Sequence, residues 1–185
     1  MTSTRTAVEI PAPTPQTPLN GIVAATAEAV AAKPEAALAV IAADATAGEG
    51  VVSQVRARRF TLTVDEPAVF GGDDTAANPV EHYLAALLSC HVVTYRFWAQ
   101  RLGVTVDGLT AHAEGDLDVR GFFGLDDAVR PGFGEVRVQV QITGPEPAAR
   151  YAELHEAVQA HCPVLDLTAN PTPVVTELVL GAPTA

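Results

Sequence analysis

The sequence predicts an α+β fold in which antiparallel sheets pack with two main helices. Two observations predict it. Strand-like alternation occurs on both sides of one long helical pattern that carries Cys90, and strands and helices do not alternate as in βαβ units. Residues 136–143, VRVQVQIT, also place apolar side chains at every second position, which is typical of an antiparallel strand with one face in water.

Composition and charge limit the function classes. The chain has 185 residues, of which 48% are hydrophobic and 18% charged, which predicts a single domain over 19–185. Residues 1–18 are rich in Pro and Thr and are predicted to form a flexible arm. The net charge of −11 argues against a nucleic-acid partner, because phosphates would be repelled. No apolar run is long enough for a membrane span or a signal peptide, so we expect no membrane partner and a cytoplasmic protein.

Four elements are predicted before the long helix. They are a helix over 20–33, a strand beginning near Ala37 and running toward a turn at 47–50, two strands or one bent strand over 51–64, and a Gly/Asp-rich loop over 65–77.

The long helix is predicted over Asn78 to Leu102. Asn78 can cap it, Pro79 suits its first position, and Glu81 stands where a capping box needs a carboxylate. Glu81 lies roughly 13 Å along the helix from Cys90, so we interpret it as a helix cap rather than a catalytic group.

The predicted elements after the long helix follow a simple order. They are one long strand or a strand pair over 104–119 with a break near Gly108, a Gly/Phe-rich loop over 121–135, the strand 136–143, a helix over 145–161 stopped by Pro163, a turn at 170–173 and a closing strand over 174–180.

The chain has two cysteines, Cys90 and Cys162, on two different predicted helices. Cys90 falls on an apolar helical face, so a buried core thiol is the simplest interpretation. The predicted face of Cys90 consists of Tyr83, Ala86, Leu87, Val93, Thr94 and Phe97. If the thiols meet, a peroxide can oxidise one to a sulfenic acid, and the other can condense with it to a disulfide. Because Cys162 would end a helix, where a thiolate is disfavoured, it suits the resolving role.

A thiolate at Cys90 would need a nearby cation, and the candidates are Arg56, Arg58, Arg59 and Arg96. A zinc site is the other chemistry considered, because His91 and His161 adjoin the two cysteines. Adjacent helical residues point about 100° apart, which makes it difficult for Cys90 and His91 to bind one ion. We therefore predict no metal and no cofactor.

Four segments resemble the OsmC/Ohr family of organic-hydroperoxide peroxidases, over about Asn20 to Leu178. They are DEPAVFGGDDTAANP at 65–79, NPVEHYLAALLSC at 78–90, GFFGLDDAVRPGFGEVRVQV at 121–140 and HCPVLDLTANPTP at 161–173. The resemblance implies an interlocked homodimer in which each subunit contributes antiparallel sheet and the two long helices pack at the centre. It also implies that Cys90 is the peroxidatic thiol and Cys162 the resolving one, and that a dithiol, in some members a lipoylated protein, reduces the disulfide.

The chain departs from the family's pattern at two places. Val80 stands directly after Pro79 where the peroxidases often carry Glu, and the early turn at 47–50 lacks the activating Arg. Two functions therefore stay open: a thiol-dependent peroxidase for organic hydroperoxides, active against oxidative stress, and a non-catalytic protein that binds a small apolar or electrophilic ligand in the same cavity.

Overall fold

The computed structural model describes residues 19–181. The chain divides into two compact units, Met1–Val40 and Ile41–Ala185. The described part of the first contains helix α1, Leu19–Ala32, followed by a short 3-10 turn at Pro34–Ala37. The predicted arm over 1–18 lies outside the described residues, and a single domain beginning at residue 19 stays a prediction.

The second unit contains five strands and four α-helices within the described residues, and its mixed helix and antiparallel-sheet architecture confirms the predicted class. In chain order they are β1 Asp44–Ala47, β2 Ser53–Ala57, β3 Phe60–Val64, α2 Pro79–Leu102, β4 Gly108–Leu117, α3 Val119–Phe122, β5 Phe133–Thr143, α4 Ala148–His161 and α5 Pro163–Ala169.

The strands form two antiparallel sheets. β1, β2 and β3 make a three-stranded sheet in that order, and Ala57 faces Phe60 across the tight turn between β2 and β3. Arg58 occupies this turn with φ of 56°, so a non-glycine residue carries the left-handed backbone. β4 and β5 make a long two-stranded sheet that pairs Leu109 with Ile142.

The main core lies among α2, α4, α5 and the β4–β5 sheet. Leu154 and Val158 of α4 are fully buried against Tyr95 and Ala99 of α2. Apolar side chains of the sheet, including Val140 and Ile142, pack against this cluster. Burial of these side chains supplies the main driving force for folding this unit, at about 25 cal/mol per Å² of apolar surface.

The ends of α2 agree with their sequence signals. The Asn78 side chain accepts a hydrogen bond from the Glu81 amide at 2.9 Å, and the Glu81 carboxylate accepts one from the Asn78 amide at 2.8 Å. Pro79 occupies the first turn, and Gly103 ends the helix in the left-handed conformation with φ of 64°. The predicted capping box is therefore confirmed.

The loop between β3 and α2 is built around the buried carboxylate of Asp65. This carboxylate accepts hydrogen bonds from the amides of Glu66, Asp73 and Thr75 and from the Thr75 hydroxyl. Backbone and hydroxyl donors from Thr75, followed by the Glu66 amide, lower the pKa of Asp65. The loop that delivers the chain to α2 is thus held by one ionised side chain.

Three predicted strand segments are wrong. The first strand does not begin near Ala37 but at Asp44, because residues 34–37 form a 3-10 turn and 38–43 have no regular structure. Residues 104–107 lie outside β4, which begins at Gly108. Residues 174–180 form no strand, because strands require ladder partners and this apolar segment pairs with none of the described strands.

Two helices were not predicted. Asp118 caps the short α3 through a hydrogen bond to the Arg120 amide. The stop at Pro163 is correct for α4, but the same proline begins α5, because a proline suits the first turn of a new helix.

Candidate functional site

The second unit brings the two cysteine thiols together. Cys90 lies on α2, and Cys162 occupies the junction between the end of α4 and the start of α5. Both are free thiols, and the Cys90 side chain packs against the core cluster that contains Cys162. The Cys90 thiol lies close enough to raise the pKa of Cys162. Residues 72 positions apart in sequence, 162 − 90, are therefore neighbours in space.

The two thiols differ in access to solvent. Cys90 is partly buried, whereas only 1% of Cys162 is exposed. Of the two residues, Cys90 is therefore the more accessible to a small molecule in solution.

The pKa of Cys162 is raised chiefly by burial, which disfavours the charged thiolate. The neighbouring Cys90 thiol raises this pKa further, while the Leu165 amide and the Thr94 side chain lower it. At neutral pH Cys162 is therefore a protonated thiol in the resting protein, surrounded by groups that can donate to its sulfur when it ionises.

Helix α5 changes the electrostatic argument made from the sequence. Cys162 follows the last turn of α4, as predicted, but it is also the N-cap residue of α5. The side chain makes no capping hydrogen bond, although the Leu165 amide in the first turn lies near enough to lower its pKa. The C-terminus of α4 disfavours a thiolate at this sulfur, whereas the N-terminus of α5 favours one, so the two electrostatic effects oppose each other. Burial, rather than the α4 dipole, therefore raises the pKa of Cys162.

A ring of polar side chains surrounds Cys162. The Nδ1 atom of the buried His91 lies 3.9 Å from the Cys162 sulfur and 2.9 Å from the Leu87 carbonyl oxygen. The Tyr95 hydroxyl forms a short hydrogen bond with His155 Nδ1, and burial together with the charge of an ionised Cys162 raises the pKa of Tyr95 to about 12. These contacts place His91 and Tyr95 beside the Cys162 sulfur, and the sequence pattern did not predict this position for either residue.

The buried stripe of α2 explains that omission. It runs through Leu87, His91, Thr94, Tyr95 and Ala99. Cys90 lies at the edge of this stripe, because adjacent residues differ by about 100° around a helix. The predicted face centred on Cys90 is therefore partly wrong: Leu87 and Thr94 are buried, whereas Val93 is 54% exposed. In the sequence, the signal for this buried face was the spacing of Leu87, His91 and Tyr95 at successive intervals of four residues.

The four candidate arginines have other surroundings in the described chain. Arg56 forms an ion pair with Asp44 at 2.9 Å. Arg58 and Arg59 lie over the Phe60 ring, at 5.2 and 4.7 Å from its centroid. Arg96 is exposed on α2, six residues after Cys90 and thus on another side of the helix.

Other sites that the sequence raised also have definite surroundings. Across residues 19–181 no three His, Cys, Asp or Glu side chains are grouped as metal ligands. A surface pocket of about 460 Å³ is lined by Asp116, Asp118 and Arg130 among others, and its lining includes neither cysteine. Among helices in the described range, none has the length and apolar character needed to cross a bilayer.

Comparison with protein families identifies a match. The profile of OsmC-like proteins matches residues 71–177, which include both cysteines, all of α2 and most of the main core. A comparison with curated proteins gives no significant match.

Comparison with solved structures shows the fold. An OsmC-like protein from Mycoplasma pneumoniae aligns with a TM-score of 0.62 and 18% identity, over 72% of this chain and 89% of that one. An organic hydroperoxide resistance protein from Elizabethkingia anophelis aligns with a TM-score of 0.57 and 22% identity, over 72% and 91%. An organic hydroperoxide resistance protein OsmC from Legionella pneumophila aligns with a TM-score of 0.55 and 20% identity, over 72% and 91%.

Proposed function

Because the chain belongs to the OsmC-like family, we propose that it is a thiol-dependent peroxidase that reduces organic hydroperoxides. The observation that carries the proposal is the partly exposed Cys90 thiol beside the buried Cys162 thiol. The names of the related structures from Elizabethkingia and Legionella, both organic hydroperoxide resistance proteins, support the substrate class.

Differences in access and ionisation support different roles for the two thiols within this proposal. The thiol that meets the peroxide must be reachable, which favours Cys90 as the peroxidatic residue. The resolving thiol must wait until a sulfenic acid forms, and the raised pKa of buried Cys162 keeps it protonated and unreactive until then.

The chemistry runs in two steps and balances. The Cys90 thiol releases its proton, the thiolate attacks the distal peroxide oxygen, and the O–O bond breaks. The leaving alkoxide takes up one proton, which balances the one that Cys90 released, and departs as the alcohol, so that Cys90 becomes a sulfenic acid. The Cys162 sulfur then attacks the Cys90 sulfur, the S–O bond breaks, and the oxygen departs as water with the proton from Cys162. A dithiol, such as the lipoyl group of a partner protein, reduces the disulfide by thiol–disulfide exchange.

Mass spectrometry tests this proposal directly. One equivalent of cumene hydroperoxide should lower the intact mass by about two units, which marks a disulfide. Cys162→Ser should stop at a sulfenic acid that a dimedone probe traps, and Cys90→Ser should leave Cys162 unmodified. Persistent peroxide turnover by Cys90→Ser would refute the mechanism.

The second candidate function is a non-catalytic protein that binds a small apolar or electrophilic ligand. One observation favours it: the Glu81 carboxylate is engaged in the helix cap, so it is committed to the backbone of Asn78. This function predicts ordinary thiol reactivity and no mass loss after peroxide treatment, and the same spectrum separates the two functions.

We expect the protein to work as a homodimer. Exposed apolar surface supports this expectation, since Val93 of α2 is 54% exposed. In the C-terminal segment, Val174, Val175, Leu178, Val179 and Leu180 are each at least 78% exposed. Analytical ultracentrifugation should give the mass of two chains, and Val93→Glu should shift the equilibrium toward one chain. A native protein that sediments as a monomer would contradict the expectation.

A further inference from the structure

The surroundings of Cys162 assign a specific task to a residue that no part of the chemistry above has used. We propose that His91 is a hydrogen-bond donor of the resolving step, and that its Nδ1–H stabilises the Cys162 thiolate as this attacks the Cys90 sulfenic acid. The proposal rests on the peroxidase function and deepens it.

The hydrogen bond to Leu87 fixes which ring nitrogen of His91 carries a proton. Nδ1 lies 2.9 Å from the Leu87 carbonyl oxygen, and a carbonyl oxygen can only accept. Nδ1 therefore carries the hydrogen. The same atom lies 3.9 Å from the Cys162 sulfur, so His91 faces this sulfur as a donor and not as a base.

Burial makes this donor important. His91 and Cys162 are each only 1% exposed, so bulk water cannot solvate a thiolate formed there. A buried charge needs compensating hydrogen bonds, and a hydrogen bond to a charged group is shorter and stronger than one to a neutral thiol. We expect the shared Nδ1–H to turn from the Leu87 oxygen toward the sulfur as the negative charge develops.

Other polar groups also surround Cys162. The Thr94 hydroxyl donates to the Cys90 carbonyl oxygen at 2.8 Å, and the Tyr95 hydroxyl is paired with His155. The Leu165 amide, which belongs to the backbone, and the Thr94 side chain are further donors, and both lower the pKa of Cys162. His91 and Thr94 are thus side chains whose donor atoms each have a neutral carbonyl oxygen as the competing partner, and His91 contributes the ring N–H.

Ionisable residues other than His91 and Cys162 lie on each of the three helices α2, α4 and α5. α2 contributes Cys90 and Tyr95, α4 contributes His155 and His161, and α5 contributes Asp166. Tyr95 stays neutral throughout the useful range because its pKa is raised to about 12. Asp166 and His161 are exposed, so solvent weakens their influence.

The first test does not require peroxidase activity. In Cys90→Ser the chain has a single thiol, so the Cβ carbon resonance of labelled cysteine reports the ionisation of Cys162 alone. Adding His91→Phe, which keeps an aromatic ring but no donor, should raise the titration midpoint by about one pH unit. Adding His91→Asn, which can present an amide N–H near the Nδ1 position, should restore it. An unchanged midpoint in His91→Phe overturns the proposal.

His161→Phe is the matched control. His161 makes the same type of bond within its helix, from Nδ1 to the Ala157 carbonyl at 2.8 Å, and its ring contacts the Trp98 ring in a tilted arrangement, with 4.2 Å between the centroids. Its replacement should leave the Cys162 midpoint in place. A shift equal to that of His91→Phe would mean that the effect is structural, and would overturn the donor role.

A second readout separates failure of this inference from failure of the proposed function. After one equivalent of hydroperoxide, His91→Phe should form the Cys90 sulfenic acid at the native rate but convert it to disulfide about tenfold more slowly, equivalent to about 1.4 kcal/mol. Equal rates of disulfide formation contradict the role of His91. Absence of any oxidation at native Cys90 contradicts the peroxidase itself, and the titration still decides the donor role.

A measurement without replacement of His91 covers the case in which its variants do not fold. In Cys90→Ser, the long-range proton–nitrogen spectrum of the His91 ring should show the Nδ1–H signal moving as Cys162 ionises. A signal that stays fixed through that titration overturns the proposal.

Discussion

Replacing Glu81 tests whether its carboxylate serves the helix or the peroxide chemistry. The carboxylate accepts from the Asn78 amide at 2.8 Å, and the Asn78 side chain accepts from the Glu81 amide at 2.9 Å. Glutamine can accept the first of these bonds equally well, whereas alanine cannot. Glu81→Gln therefore keeps the cap and removes only the charge, and Glu81→Ala removes both.

The expected magnitudes follow from these two bonds. Glu81→Ala loses one capping bond, about 1 kcal/mol, and a favourable charge near the helix N-terminus, about 0.3 to 1 kcal/mol. Glu81→Gln loses only the charge contribution. Because about 1 kcal/mol shifts the melting temperature by roughly 2 to 4 °C in a chain of this size, the alanine variant should melt several degrees lower than the glutamine variant.

Thermal unfolding by circular dichroism and a peroxide-consumption assay on the same samples provide the two measurements. We expect both folded variants to retain native turnover, and Asn78→Ala, which removes the reciprocal bond, to lower stability by about 1 kcal/mol without changing turnover. If Glu81→Gln melts within about 2 °C of the native protein but loses tenfold or more of its turnover, the carboxylate acts in the chemistry and the capping account is incomplete.

Three further predictions concern the elements that position the site. Leu154 is fully buried between α4 and α2, so Leu154→Ala should cost about 2 to 5 kcal/mol in urea unfolding, and a cost below about 1 kcal/mol would contradict the placement of the core. The pKa of Asp65 is lowered in the folded state. Ionised Asp65 therefore stabilises the folded protein above its pKa in the unfolded chain, about 4, and this stabilisation is lost as the pH falls through its lower pKa in the folded protein. Asp65→Asn should therefore weaken the protein at pH 7 more than at about pH 2, as urea midpoints at the two pH values will show. A Cβ at Gly72 would lie 1.9 Å from the Glu66 carbonyl oxygen, so Gly72→Ala should lower the melting temperature, whereas Gly21→Ala, with open space around it, should not.

Sequence patterns predicted the elements whose signals are local. The boundaries of α2 follow from Asn78, Pro79 and Gly103, each of which acts through its own backbone or the next turn. The alternation over 51–64 correctly predicted strands, and the structure resolves them as β2 and β3 joined by a tight turn.

Signals that depend on a partner elsewhere in the chain were less informative. The pattern over 174–180 is strand-like, but a strand exists only where another strand offers a ladder, and none of the described strands does. Pro163 correctly predicts the end of α4, but it does not by itself predict that α5 begins immediately after Cys162, because a proline can both stop one helix and start another.

The sequence by itself determined the family resemblance, the long capped helix and the two cysteines as candidate reactive groups. Only the tertiary structure decided that the two thiols are neighbours, that Cys162 is the buried one, and that His91 and Tyr95 surround it. The physical reason is that helix periodicity fixes the angle of each side chain about its own axis, whereas proximity and desolvation depend on how α2, α4 and α5 pack together.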